Sequence, residues 1–244
     1  MSWPKLTPPA HPDGYALFGV SRPDTVVDVT RVAVLMSHYY GAQPLALHVA
    51  LGEQATWEGR VDLEGERLFE LARAAARDLG YPLRSYSEFA GEIAGGIRQA
   101  ARSLQPRVLI LGQSYGQGTH RFARIADSVA DGESWPLILI RFHSVTSFQR
   151  AIVPLENSTE LAGLLPVLSA LEEIGCRATV LEGQSSVDSI VDEANDDDLI
   201  VMHTAHCGSS PNASSCRLAD ELAQQTKLPI LLVRGDLRPT SEPA

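Results

Sequence analysis

The sequence predicts an α/β protein in which two parallel-sheet units follow one another along the chain. Short, nearly continuous apolar runs alternate with longer segments whose apolar residues recur every three or four positions, the pattern of strands separated by helices. Strands and helices that alternate in this way pair in parallel through right-handed crossovers, and helices then cover both faces of the sheet. The same order occurs twice, so we expect two related units.

The first unit is predicted at residues 15–143, behind a proline-rich leader at residues 1–14 that we expect to be extended and outside the core. Its strands are predicted at Tyr15–Val20, Pro44–Leu51, Leu83–Tyr86, Val108–Leu111 and Leu137–Ile140. Its helices are predicted at Asp24–Tyr40, Val61–Leu79, Glu88–Leu104 and His120–Ala130. Gly41 and Gly80 stand where the first two helices should end, because glycine readily adopts the left-handed backbone found there.

The second unit is predicted at residues 149–236 and is followed by a tail at residues 237–244. Its strands are predicted at Ala151–Leu155, Ala178–Leu181, Leu199–Met202 and Ile230–Val233. Its helices are predicted at Thr159–Ile174, Val187–Ala194 and Cys216–Thr226, and Pro166 is expected to kink the first of these or to shift its start. This unit is shorter because it has no counterpart to the helix and strand at Val61–Tyr86.

Composition excludes several classes of protein. The net charge is −10, from 30 acidic and 20 basic residues, which argues against binding to nucleic acids or to an anionic membrane surface. The apolar runs fall far short of the ~18 residues that a membrane-spanning helix needs, and no secretion signal is evident. Three cysteines do not form a disulfide framework, so we expect free thiols in a reducing cytoplasm.

A glycine-rich stretch after the strand at Val108–Leu111 is the first candidate site. Glycines let a phosphate approach the backbone, and the N-terminus of the following helix offers free N–H groups. The predicted phosphate contacts are Gly112, Gly116, Gly118 and Thr119, with charge added by His120 or Arg121. An ordinary turn without a ligand is the alternative. The chain has neither a P-loop nor the third glycine of a dinucleotide motif.

The equivalent stretch of the second unit carries potential metal ligands at His203, His206, Cys207 and Cys216. Zinc favours such residues, but this spacing matches no zinc-finger pattern, and neighbouring side chains at the end of a strand point apart. A catalytic Cys–His pair would lack a third group to orient the base. We therefore expect an irregular polar loop without a metal, and we interpret Asp196–Asp198 as a solvated turn.

Three segments of each unit carry a resemblance to the universal stress protein family. That family has a strand, a Gly-x-x-Gly loop, nine further residues, a Gly-Ser/Thr pair and a closing strand. The first copy resembles it through Val108–Gly112, Asp127–Ala130 and Leu137–Arg141, and the second through Leu199–His203, Leu218–Asp220 and Pro229–Arg234. Tyr15–Val49 also resembles the family's first two strands and first helix. The resemblance implies two Rossmann-like, adenine nucleotide α-hydrolase-like units, packed as a pseudo-dimer through their closing strands.

The resemblance also implies an adenine nucleotide site, for ATP, in the first unit. Its residues would be Ser21, Val49, Gly112, Gly116, Gly118, Thr119 and Ser128. This chain departs from the motif, because Gly112 and Ser128 are two residues too far apart and Asp127 replaces a glycine. In the second copy the motif positions hold His203, His206, Cys216 and Arg217, where a phosphate would meet side chains instead of bare backbone.

Tandem copies of this kind also resemble the cytosolic regulatory tails of cation/proton antiporters, amino-acid permeases and cation–chloride cotransporters. The resemblance implies a non-enzymatic stress-response or regulatory module, cytoplasmic or tethered to the inner face of the membrane, acting as a homodimer or an intrachain pseudo-dimer. A ligand-free interaction domain of a transporter is the alternative. Adenylating enzymes of the same superfamily carry Ser-Gly-Gly-x-Asp-Ser after the first strand, and Ser21-Arg-Pro-Asp24 argues against that activity.

Overall fold

The computed structural model describes residues 3–52, 62–114, 128–129, 133, 135–142, 148–155, 158–183, 186–204 and 214–235. The strands are β1 (Tyr15–Gly19), β2 (Gln43–Leu51), β3 (Arg84–Ala90), β4 (Val108–Ser114), β5 (Leu137–Phe142), β6 (Arg150–Leu155), β7 (Arg177–Glu182), β8 (Asp198–His203) and β9 (Ile230–Arg234). The helices are α1 (Pro23–Tyr40), α2 (Leu63–Asp78), α3 (Ile93–Leu104), α4 (Ser158–Glu173), α5 (Val187–Glu193) and α6 (Ser214–Gln225).

All nine described strands form one sheet in the order β3-β2-β1-β4-β5-β9-β8-β6-β7. The two units meet at β5 and β9, which pair antiparallel from Leu137 opposite Arg234 to Arg141 opposite Ile230. The other described strand pairs are parallel. On the other side of the β5–β9 pairing, the second unit repeats this arrangement: β6, β7, β8 and β9 take the positions that β1, β2, β4 and β5 have in the first unit. The predicted α/β fold and the pairing of the closing strands are therefore confirmed.

The core has one shared layer and two separate ones. Successive residues of β1 point to opposite faces of the sheet, so Ala16 and Phe18 pack on one side and Leu17 on the other. On the first side, α1, α2 and α4 cover a single cluster that runs through both units. On the other side, α3 covers a cluster of the first unit, while α5 and α6 cover one of the second. The shared layer makes each unit part of the other's core.

Matching glycines end the first helix of each unit. Gly41 after α1 and Gly175 after α4 both have positive φ, at 61° and 84°. The next residues, Ala42 and Cys176, donate their N–H groups to carbonyls near the end of their helices, at Ser37 and at Leu171 respectively. These equivalent ends align α1 with α4 residue by residue, with Gly41 corresponding to Gly175.

The leader packs against the core, so the prediction that it lies outside is wrong. Trp3 meets Phe148 edge to face at 5.5 Å between ring centroids, and Leu6 packs with Val34 and Leu79. The N–H of Leu6 also donates to the carbonyl of Leu79 at 2.9 Å. The prolines keep the leader extended, but burying the side chains of Trp3 and Leu6 still stabilises the fold through the hydrophobic effect.

The largest differences from the predicted boundaries lie at β3, α3 and β4. Glu88–Ala90 belong to β3, because they pair with Val49–Leu51 of β2, and α3 begins only at Ile93. Strand β4 continues through Gly112 to Ser114 instead of ending at Leu111. Helix α4 runs from Ser158 through Pro166, which therefore does not shift its start. Residues 143–147 and 237–244 lie outside the described ranges.

Within its described residues, the second unit has no counterpart to α2 and β3, as predicted. Strand β7 ends at Glu182 and α5 begins at Val187, which leaves room only for a short connection. In the first unit the corresponding path holds α2 and β3, so β7 lies at the edge of the sheet where β2 is an interior strand.

Candidate functional site

The topology places one crevice in each unit. From β1 the chain moves outward to β2 and β3 and then returns to β4 on the other side of β1. In parallel α/β sheets, ligands bind beyond the carboxyl ends of the strands at such a switch point. The first crevice therefore lies at the ends of β1 and β4, and the second at the ends of β6 and β8.

The first crevice has bare backbone at the end of β4. Phe18 pairs with Ile110, so two residues farther along Val20 lies beside Gly112. Gly112 itself pairs with Ile140 of β5, which places it inside the strand and not in the predicted loop. The N–H of Val20 donates to the carbonyl of Leu47 at 2.8 Å, which fixes the chain up to the exposed Ser21.

Val49 and Ser128 belong to the side of the sheet covered by α3. Val49 is half-buried and packs tightly on α3, since a Cβ added at Gly96 would lie 2.6 Å from Cγ1 of Val49. Val129, next to Ser128, is buried in the same α3-side cluster. These two predicted site residues therefore lie on one face of the sheet. Gly116, Gly118 and Thr119 lie outside the described residues, so their roles stay predictions, as do His120 and Arg121.

In the second unit a side chain stands at the end of β8, on the face covered by α4. His203 ends β8 at the position of Gly112 in β4, and its ring packs on Gly163 of α4. A Cβ added at Gly163 would lie 2.6 Å from Cδ2 and 2.7 Å from Nε2 of His203. In the helix alignment Gly163 corresponds to Val29 of α1. The first unit therefore has a valine on the helix and a glycine on the strand, whereas the second unit has a glycine on the helix and a histidine on the strand. Gly112 thus has no side chain at the position where His203 places an imidazole against α4.

A buried carboxylate beside the first crevice was missed by sequence reasoning. Glu88 lies opposite Val49 and accepts hydrogen bonds from the hydroxyl of Tyr86 at 3.1 Å and from Nε2 of Gln99 at 3.0 Å. Burial, followed by the hydrogen bond to Glu88 and its charge, raises the pKa of Tyr86. Ser87 and Glu88 are both polar, so the sequence has no regular alternation that would have placed Glu88 in a strand. Its negative charge makes the region around Val49 unfavourable for a phosphate.

A second polar cluster lies on the opposite, α2-covered face. Asp62 precedes α2 and accepts hydrogen bonds from the N–H of Gly65 at 2.9 Å, from Nδ1 of His48 at 2.6 Å and from the hydroxyl of Ser87 at 2.9 Å. Burial alone would raise the pKa of Asp62, but these hydrogen bonds and the charge of His48 lower it below its ordinary value. Through Asp62, these hydrogen bonds hold the N-terminus of α2 against His48 of β2 and Ser87 of β3, so we assign the cluster a role in stabilising the fold.

No group of three His, Cys, Asp or Glu side chains that could hold a metal occurs among the described residues. His206 and Cys207, and the side chain of Cys216, lie outside them, so the expectation for that loop stays a prediction. Of the aspartate run, Asp198 is buried, pairs with Arg150 at 2.7 Å and accepts the N–H of Asn195 at 2.7 Å. This ion pair joins the N-terminal ends of β6 and β8, because Arg150 begins β6 and Asp198 begins β8.

Across the described ranges, the helices are too short or too polar to cross a bilayer. No family model and no curated protein matches the sequence.

Solved structures with the same fold include universal stress proteins and a transporter domain. A putative universal stress protein from Pseudomonas aeruginosa UCBPP-PA14 is 8% identical, with a TM-score of 0.58 over 91% of this chain and 92% of that one. A universal stress protein from Archaeoglobus fulgidus DSM 4304 is 11% identical, with a TM-score of 0.53 over 91% and 97%. The cytoplasmic domain of a prokaryotic cation chloride cotransporter is 11% identical, with a TM-score of 0.56 over 93% and 97%. The chain has the fold of the universal stress proteins.

Proposed function

We propose that the protein is a non-enzymatic regulatory module whose first unit binds an adenine nucleotide at the carboxyl ends of β1, β2 and β4. The difference between the two crevices carries this proposal. Bare backbone lies at Gly112 in the first, whereas the ring of His203 occupies the matching position in the second. A nucleotide phosphate needs backbone N–H groups that no side chain covers, so we expect one nucleotide per chain.

The charges around the crevice support one orientation of the nucleotide. Glu88 places a carboxylate beside Val49, which disfavours a phosphate there but not a neutral base. The base would then contact Ser21 and Val49, and the phosphates would extend toward Gly112, Gly116, Gly118 and Thr119. The segment that follows leads to Ser128, whose hydroxyl would donate to a phosphate oxygen.

The proposed site residues supply binding contacts and no reaction chemistry. Ser21, Val49, Gly112 and Ser128 include no general base and no paired carboxylates. The nearby carboxylate of Glu88 already accepts two hydrogen bonds and lies beside Val49 on the neighbouring strand. Nucleotide occupancy would therefore act as a signal, by changing which surfaces the module presents to a partner.

Isothermal titration calorimetry with ATP tests the site. We expect one ATP per chain, and we expect Gly112→Ala to weaken binding at least about tenfold because its methyl group covers the backbone. Gly91→Ala is the matched control, since a Cβ added at Gly91 meets no other atom within 4 Å. No heat at millimolar ATP with folded protein would reject nucleotide binding. Unchanged affinity in Gly112→Ala would reject this crevice.

A second candidate is a ligand-free regulatory domain of a cation or amino-acid transporter on the cytoplasmic side of the membrane. It is supported by the shared fold of a cation chloride cotransporter's cytoplasmic domain, which covers nearly the whole of both chains. Inspection of the gene tests this candidate. A membrane-spanning region in the same reading frame, or in the adjacent gene, is the expected result, and its absence from both places would contradict it.

A further inference from the structure

The edge strand of the second unit has an uncovered apolar face. Leu181 packs against the cluster under α5 and α6, so the alternate residues Ala178, Val180 and Glu182 lie on the face that α4 covers in part. All three are exposed or half-exposed, and Val180 keeps 39% of its surface accessible. The matching face of β2 is fully buried at Pro44, Ala46 and His48.

Helix α4 continues this apolar surface. In the alignment with α1, Leu168 corresponds to Val34, which packs with Ala76 and Leu79 at the end of α2. One and two turns earlier on the same side, α4 presents Leu165, 52% exposed, and Leu161, half-buried. We name Leu161, Leu165, Ala178 and Val180 the α4–β7 surface.

The first unit shows what such a surface accommodates. There α2 lies across α1 and β2, and its buried side chains Leu68, Phe69 and Ala72 share a cluster with Ala46 of β2. Val180 occupies the position of Ala46 in the second unit, as judged from the pairs Ala16–Pro44 and Ala151–Ala178. Among the described residues of the second unit no helix takes this position, since β7 ends at Glu182 and α5 begins at Val187.

The charged residues around the α4–β7 surface indicate what kind of helix would bind there. Helix α4 carries Glu160 and Glu172 and no Lys or Arg, while its last carboxylate, Glu173, contacts His38 of α1 instead. Glu182 follows Val180 on the same face of β7, whereas Arg177 lies on the opposite face. The apolar surface is thus bordered by carboxylates, which favour a helix with basic flanks and disfavour an acidic one.

We propose that the α4–β7 surface binds an amphipathic helix of a partner protein, with an apolar stripe on Leu165 and Val180 and with Lys or Arg along its flanks. The helix takes the place that α2 holds in the first unit. This inference does not depend on nucleotide binding, because the surface contains none of the proposed nucleotide residues. It gives the second unit, whose own crevice is filled, a role as the partner-binding half.

A synthetic peptide derived from α2 is the probe. Its sequence is that of residues 62–79 with Glu64, Glu66 and Glu70 changed to Lys, and its fluorescence anisotropy is followed as the full chain is added. We expect saturable binding that Leu165→Glu and Val180→Glu each weaken at least about tenfold. The matched control is Leu71→Glu, a leucine 41% exposed on α2 of the first unit, which should leave the affinity unchanged.

Hydrogen exchange locates the bound peptide. We expect slower exchange in β7 and α4 and no change in β2. Absence of saturable binding, equal weakening by Leu71→Glu, or protection of β2 in place of β7 would each overturn the proposal. So would concentration-dependent dimers in light scattering that Val180→Glu abolishes, because a second copy of the chain would then cover the surface. Circular dichroism confirms that each variant is folded.

Discussion

Nε2 of His38 lies 3.3 Å from Oε2 of Glu173, so the end of α1 in the first unit meets the end of α4 in the second. Nδ1 of the same ring lies 3.0 Å from the carbonyl oxygen of Thr7 and 3.0 Å from the hydroxyl of Tyr81. One imidazole thus joins the leader, the turn after α2 and both units. Burial, with a smaller effect of the Glu173 charge, raises the pKa of Tyr81 to about 12.

The contact between His38 and Glu173 should stabilise the chain only modestly. The two side chains keep 29% and 41% of their surface exposed, so solvent screens the pair. A double-mutant cycle with His38→Ala and Glu173→Ala, measured by urea unfolding, should give a coupling free energy of about 0.3–1 kcal/mol at pH 6. A coupling free energy above about 2 kcal/mol would show that this pair makes a large contribution to holding the two units together. The pairing of β5 with β9 and the shared core layer would then contribute less to the contact between the units than we infer.

The Asp62 cluster should make stability depend on pH in a defined direction. Because the folded pKa of Asp62 is lowered, its contribution is complete above the ordinary value of 3.8 and is lost as the pH falls through the lower folded value. Asp62→Asn should cost about 1–3 kcal/mol of unfolding free energy at pH 6. The difference from the unchanged protein should shrink as the pH is lowered below about 4.

Urea unfolding at pH 6 and at pH 3 measures this difference, and comparing two proteins cancels the titration of the other carboxylates. Ser87→Ala serves as a control because it removes one hydrogen bond to Asp62 and leaves its charge in place. A difference that stays constant or grows toward pH 3 would show that the charge of Asp62 contributes nothing.

Because the His203 ring packs directly on Gly163, we expect a change at His203 to compensate for the loss of stability caused by a larger residue at position 163. Gly163→Ala should destabilise the chain by about 1–3 kcal/mol, because the new methyl group lies within 3 Å of the imidazole ring. His203→Ala should restore most of that loss in the double variant. Thermal and urea unfolding of the four proteins measures the effect. If the two changes are simply additive, the ring does not occupy the space that we assign to it.

Cys176 should be inert in the folded protein. Burial, with a smaller contribution from the charge of Asp198, raises the pKa of its thiol to about 12, so little thiolate forms near neutral pH. With Cys207 and Cys216 replaced by serine, the remaining thiol should react with a disulfide reagent at least about a hundredfold more slowly in the folded state than in urea. Equal rates in the two states would contradict the burial of Cys176.

Periodicity predicted the elements well because most strands are buried on both faces. Val108–Ile110 and Leu199–Val201 are apolar at every position, which marks parallel strands under helices on both sides. Strand β3 was predicted poorly since it is an edge strand, whose exposed residues such as Arg84 carry no apolar signal. Glu88 was therefore assigned to the following helix.

The candidate site was less predictable because it depends on contacts between distant segments. The sequence indicates Gly112 and Val49, but the role of His203 depends on Gly163, forty residues earlier and on another element. Likewise, the burial of Trp3 and Leu6 in the leader depends on Phe148 and Val34. Such pairings leave no local pattern.

Crystals grown with ATP at millimolar concentration test the central claim most directly, which is that the duplicated fold keeps one open nucleotide crevice and has filled the other. We predict electron density for one nucleotide per chain beside Gly112, with its base toward Val49, and the ring of His203 in place against Gly163 in the second unit. Nucleotide density in both crevices, or beside His203 alone, would contradict this claim.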